Sequence, residues 1–148
     1  MKNEKNNQNW GQAMTAQILA DLSGVSAENV RYYTRRGLLK PFRNPRNRYR
    51  LYRKSDIARL HFIRQAKNLG YTLGEIGKIF AESNYGKSPC PLAREIIANR
   101  IAINRKRLDE MLELQTRMEA ALVQWEKLPD RSPDGQTVCY LIESTPAD

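Results

Sequence analysis

Two cysteines and a dense set of arginines are the residues of this chain whose types could do chemistry. Cys90 and Cys139 are its only thiols. Ionised and brought together, they would suit soft ions such as Hg(II) or Cu(I). As thiols they could instead answer an oxidant or electrophile, or sit as small buried hydrophobes. Two cysteines are too few for the disulfide framework of a small secreted domain. The lone histidine, His61, falls in a helical stretch and reads as structural or exposed rather than as a ligand. No Gly-rich phosphate loop, nucleophile motif or pair of carboxylates in an apolar setting occurs, so an enzyme is not expected.

The arginines say more through their placement than their number. From Arg31 to Lys67 there are thirteen Lys or Arg and a single acid, Asp56, although the net charge of the whole chain is only +9. All the excess positive charge therefore lies in one quarter of the sequence. Solubility does not require such clustering, whereas a polyanionic partner does. No apolar run approaches the length of a membrane span. The polar, Asn-rich start lacks the apolar centre of a secretory signal. A cytoplasmic protein with no membrane partner is expected.

Local signals place this charge on recognisable elements. Thr15 can cap a short helix carrying Ile18, Leu19 and Leu22, which Ser23-Gly24-Val25 then breaks. Ser26 can cap a second helix running to about Arg36 and closed by Gly37. In it Val30 and Tyr33 can pack inward, leaving Arg31, Tyr32 and Arg35 on other faces. Two short helices joined by a tight Gly-containing turn make a helix-turn-helix. Pro41 forbids helix beyond it, and Asn44-Pro45-Arg46-Asn47 is turn chemistry. The flanks can pair as a basic hairpin, with Tyr49 and Leu51 on one side and Arg48, Arg50 and Tyr52 on the other. A basic hairpin in this place reads as a wing.

Ser55 can cap a third helix that Gly70 ends, and Thr72 with Glu75 fits a capping box opening a fourth. Gly74 and Gly77 inside it lower helix propensity and suggest close packing. After a loop, Pro91 sits well in the first turn of a helix able to run unbroken to Leu128, over about 50 Å. Its seam, Ile101, Asn104, Leu108, Met111, Gln115, Met118, Leu122 and Trp125, steps by three and four as in a coiled coil. Such a stripe on a lone helix would be left wet, which implies a second copy of the chain. The end of the sequence is turn-rich, with an apolar strip, Val138 to Ile142, that must dock somewhere.

Three of these segments together resemble MerR-family transcriptional regulators. They are Gly24-Val25-Ser26-Ala27-Glu28-Asn29-Val30-Arg31-Tyr32-Tyr33 through Gly37-Leu38-Leu39, then Tyr49-Arg50-Leu51-Tyr52 with Asp56-Ile57, then Leu69-Gly70-Tyr71-Thr72-Leu73-Gly74-Glu75-Ile76. Their order and intervals extend the resemblance over about residues 15 to 125. It implies a mainly α protein, a winged helix-turn-helix DNA-binding domain followed by a long antiparallel coiled-coil dimerisation helix. Residues 1–13 would be a disordered tail, 14–83 the DNA-binding domain, 84–128 a loop and the dimerisation helix, and 129–148 the effector loop and tail.

The resemblance further implies a homodimer on double-stranded promoter DNA, distorting it in response to an effector so that RNA polymerase can engage. Such readout works partly through DNA deformation. Carried over residue by residue, Arg31 and Tyr32 should meet DNA from the second helix, and Arg50 and Tyr52 its backbone from the wing. Ser26 and Glu28 are expected to face the groove. Arg46 and Arg48 join as phosphate ligands on charge.

Metal-responsive members carry cysteines at the start of the long helix and in the loop after it. Cys90-Pro91-Leu92-Ala93-Arg94 resembles the first region and Cys139-Tyr140-Leu141-Ile142-Glu143 the far end of the second. Antiparallel pairing would then let Cys90 and the partner's Cys139 share a thiophilic ion such as Hg(II) or Cu(I). The chain departs from the pattern at Val123-Gln124-Trp125-Glu126-Lys127-Leu128-Pro129-Asp130, where a further cysteine is expected. A three-thiolate site is thereby unavailable. A thiol redox or electrophile sensor and an organic-ligand sensor remain as alternatives. So does an architectural DNA-binding protein, which would leave the cysteines beside the dimer helix unexplained.

Overall fold

Capping residues decide where each helix begins. In the computed structural model, which describes residues 13–147, Thr15 accepts the Ile18 N–H and opens α1 (Ala16–Ser23). Ser26 accepts the Asn29 N–H at 3.1 Å and opens α2 (Ala27–Arg35). Gly37 ends α2 with a left-handed φ of 77°, a conformation that costs a residue with a side chain. The chain then turns back so that Leu38 N–H reaches the Tyr33 carbonyl at 3.0 Å. The tail expected over 1–13 falls, but for Ala13, outside the described residues.

The hairpin is short. Strands β1 (Phe42–Arg43) and β2 (Arg50–Leu51) pair antiparallel, Phe42 opposite Leu51 and Arg43 opposite Arg50. Beyond β2, Tyr52 forms a bridge with Met14, its N–H donating at 2.7 Å and its carbonyl accepting at 3.0 Å. The segment before α1 is thereby stitched to the base of the wing.

Helix α3 (Ser55–Asn68) is not capped by Ser55, as its sequence suggests; Ser55 is already helical. The buried carboxylate of Asp56 accepts the Arg53 N–H at 2.9 Å instead. Helix α4 (Leu73–Asn84) opens with the expected capping box between Thr72 and Glu75. The core gathers Leu19 from α1, Val30 and Tyr33 from α2, Leu38, Leu39 and Tyr52 from the wing region, Leu60 and Ile63 from α3 and Ile76 from α4.

Helix α5 (Cys90–Trp125) starts with Pro91 in its first turn, where a missing N–H costs nothing. The Tyr71 hydroxyl donates to the Ala93 carbonyl at 2.7 Å, tying that first part to the segment between α3 and α4. The chain divides into two compact units after Ile97, inside α5 rather than at the loop before it. In the second unit α5 has no buried residue, and Leu108, Met111, Leu112, Met118 and Leu122 are each more than half exposed. The apolar strip near the end is partly a one-turn helix, α6 (Tyr140–Glu143), with Val138 and Ile142 left exposed. No helix among the described residues is long and apolar enough to cross a membrane.

Candidate nucleic-acid interface

The surface that could meet DNA is built from two elements on one core. Helix α2 buries Val30 and Tyr33, which fixes its rotation and leaves Glu28, Arg31, Tyr32 and Arg35 exposed. Helical spacing makes this inevitable: residues three apart share a face and their neighbours cannot. The Arg35 guanidinium lies 5.8 Å from the centre of the Tyr32 ring, so Tyr32 presents an edge and a hydroxyl beside a cation. Ser26 is exposed, and its hydroxyl oxygen serves as the cap of α2. Glu28 sits in the first turn, where a carboxylate suits the helix dipole.

The wing tip is held by side-chain amides rather than by a core. Asn44 Oδ1 accepts the Arg46 N–H at 2.9 Å, and Asn47 Oδ1 accepts the Tyr49 N–H at 3.1 Å. Between them the main chain closes through Asn44 N–H to Tyr49 O and Arg48 N–H to Asn44 O, both 2.9 Å. Arg48 adopts φ 64°, the only non-glycine residue with positive φ among the described residues. Such a conformation is held only where its surroundings over-determine it. Arg43 helps to do so, its guanidinium donating to the Arg48 carbonyl at 3.1 Å. Arg46, Arg48 and Arg50 are all exposed. Among the described residues none of these, nor Arg31, is in an ion pair, so their charges are free for a polyanion.

Two wing residues depart from the alternation read in the sequence. Tyr52 was expected to face DNA beside Arg50; it is 1% exposed, and its hydroxyl lies 2.8 Å from Thr34 Oγ1. A side chain closed inside the core cannot reach a phosphate, so Tyr52 is not a DNA contact. Tyr49, expected on one side with the half-buried Leu51, is 68% exposed. It follows the six-residue tip rather than the strand, so the period of two does not govern it. It belongs with the exposed residues of the tip, and the turn signal at Asn44-Pro45-Arg46-Asn47 was the clue. Arg53, though basic, stacks 4.7 Å from the Phe42 ring centre and serves the base of the wing.

The cysteines stand apart from this surface. Cys90 is exposed at the start of α5, its N–H donating to Ser88 Oγ at 3.3 Å. Cys139 is half-buried, its N–H donating to Glu143 Oε2 at 2.9 Å. The loop before it is tied at both ends: the Tyr140 hydroxyl donates to the Pro129 carbonyl, and Arg131 stacks 4.3 Å from the Tyr140 ring centre. Backbone N–H groups of Gln136 and Thr137 hold the Asp134 carboxyl below the usual carboxylate range. Among the described residues no group of three or more His, Cys, Asp or Glu is placed to hold a metal ion. His61 is exposed on α3.

Known proteins share this arrangement. Residues 14–83 match the sequence profile of the MerR HTH family regulatory protein, and residues 57–121 that of the MerR, DNA binding family. A probable heavy metal-dependent transcriptional regulator of Haemophilus influenzae is 31% identical over 68% of this chain and 78% of its own. A mercuric resistance operon regulatory protein of Bacillus cereus is 30% identical over 85% of this chain and 92% of its own. Among solved structures, a transcription regulator of Ralstonia metallidurans CH34 in complex with lead(II) superposes with a TM-score of 0.69. It is 22% identical, over 88% of this chain and 98% of its own. A MerR-family transcriptional regulator of Bacillus cereus superposes with a TM-score of 0.58 at 22% identity, over 81% and 87%. With its winged helix-turn-helix, its long helix and these matches together, the chain belongs to the MerR family of DNA-binding transcriptional regulators.

Proposed function

We propose that this chain is a homodimeric, metal-responsive regulator that bends promoter DNA so that RNA polymerase can engage it. Its place of work would be the cytoplasm. The observation that carries the DNA-facing half is the set of exposed arginines outside any ion pair, Arg31 on α2 and Arg46, Arg48 and Arg50 on the wing. Arginine presents a fork of donors matched to phosphate oxygens. The wing residues take the backbone. Ser26, Glu28, Arg31 and Tyr32 take the groove, where base edges carry sequence information. The exposed apolar stripe of α5 supports pairing with a second copy.

The effector reading rests on the donor set. Each chain offers two thiols and no cluster of three ligating groups among its described residues. That set fits a soft ion content with two thiolates, Hg(II) or Cu(I), shared between Cys90 and the partner's Cys139. It does not fit a tetrahedral zinc site built within one chain. The relatives described as regulators of mercuric resistance and of heavy-metal response point the same way. The exposure of Cys90 favours one rival, a thiol sensor. There an oxidant such as hydrogen peroxide would accept two electrons and two protons from the two thiols, leaving a disulfide and water.

A single titration separates these. Reduced protein is titrated with Hg(II), Cu(I), Zn(II), Cd(II) and Pb(II), and each loaded form is assayed for transcription from the bound promoter. Tight binding of Hg(II) or Cu(I) at one ion per dimer site, with activated transcription, supports the metal reading. Activation by peroxide and by no ion overturns it in favour of the thiol sensor.

A further inference from the structure

Tyr52, one of the two wing residues that depart from the alternation of the sequence, has a defined role of its own. Tyr52 sits just beyond β2, and three contacts hold it. Its backbone bridges Met14, its ring is in the core, and its hydroxyl lies 2.8 Å from Thr34 Oγ1. Thr34 Oγ1 is in turn 2.8 Å from the Val30 carbonyl, which has no proton to give. A threonine hydroxyl has one proton. Donated to Val30, it leaves Thr34 as an acceptor toward Tyr52. The direction of the chain is therefore fixed: Tyr52 O–H donates to Thr34, and Thr34 donates to the Val30 carbonyl in α2.

This relay joins the base of the wing to the last turn of the helix that carries Arg31 and Tyr32. Its Tyr52–Thr34 hydrogen bond runs directly between the base of the wing and α2. We infer that Tyr52 and Thr34 are positioning residues, setting the angle between wing and helix so that both meet one DNA duplex in register. The inference rests on the reading of α2 and the wing as the DNA-binding surface. It assigns neither residue a contact with DNA.

Tyr52→Phe isolates the role. The ring stays in the core, and Thr34 keeps its bond to Val30, so the fold is expected to survive. The probe is a labelled duplex recovered by in vitro selection with the full-length wild-type protein, beside a random-sequence duplex of equal length. Tyr52→Phe should weaken binding of the selected duplex about tenfold. It should leave the random duplex and the salt slope unchanged, because no phosphate contact is lost. Thr34→Val should weaken specific binding likewise, Thr34→Ser should restore it, and the double variant should lose little more than Thr34→Val alone.

Equal losses on both duplexes, or a lowered melting temperature with unchanged specific affinity, would overturn the inference in favour of general stability. A reduced salt slope would overturn it in favour of direct contact. Should Tyr52→Phe fail to fold, the Thr34→Val and Thr34→Ser pair decides on the same readouts. Failure of the wild-type protein to select any duplex would instead remove the DNA-binding reading on which the inference stands.

Discussion

Arg50 lies in β2 and Tyr52 just beyond it, yet one faces solvent and the other is closed in the core. Alternation places both on one side of the hairpin, and the family resemblance points both at the DNA backbone. The backbone of Tyr52 pairs with Met14, thirty-eight positions earlier, and its ring joins the core. A long-range bridge of that kind leaves no local signal. Arg50 is exposed, as a contact with the DNA backbone would require. Arg50→Ala should weaken DNA binding and lower the salt slope by about one counterion; fluorescence anisotropy across a salt series measures both, and an unchanged slope would remove the wing from the interface. At the other end of the molecule, Cys139→Ser should abolish the response to inducer in a transcription assay while leaving operator affinity unchanged. A full response in that variant would dismiss both cysteine-based readings.

Helices were more legible than strands, because their starts are written in three or four consecutive residues. Thr15, Ser26 and Thr72 each cap the helix their sequence announces. Ser55 does not, since the neighbouring Asp56 offers a stronger acceptor to the free N–H of Arg53. The glycines of α4 also needed the structure. A Cβ at Gly77 would meet Leu38 Cδ2 at 3.6 Å, ordinary van der Waals contact, so no close approach demands glycine there. Gly77→Ala should therefore stabilise the fold by about 0.5–1 kcal/mol through helix propensity. For a domain of this size that raises the melting temperature by about 2–8 °C; thermal unfolding followed by circular dichroism checks it, and a lowered midpoint would mean that the contact with Leu38 is tighter than it looks. The wing tip is the opposite case: Asn44 and Asn47 are readable as turn residues, but not that their side chains, with main-chain bonds and Arg43, would hold the tip.

For the whole molecule, the long helix and its wet seam were legible from a three-and-four spacing alone. The division of the chain was not, because α5 runs through it without a Gly or Pro between Leu92 and Leu128. What marks it is the Tyr71 bond to Ala93, which claims the start of α5 for the DNA-binding unit. A chain ending after Ile97 should stay folded, lack the apolar stripe and run as a monomer by light scattering. It should bind a two-half-site operator at least about a hundredfold more weakly, since the second contact would no longer be intramolecular. Full affinity in that shortened chain would mean that one unit reads the operator by itself. The full chain should scatter as a dimer at micromolar concentration.

Paired as proposed, the stripe on α5 would also tie the lifetime of the protein to its abundance. Where folding is completed by a second copy, stability has no value independent of concentration. A newly made chain without a partner carries Leu108, Met111, Leu112, Met118 and Leu122 in water. Exposed apolar surface of that kind is what quality-control proteases and chaperones recognise. Scarce copies would then be removed faster than abundant ones, so the cell would hold this regulator either paired and durable or hardly at all, a threshold set by helix chemistry before any inducer arrives.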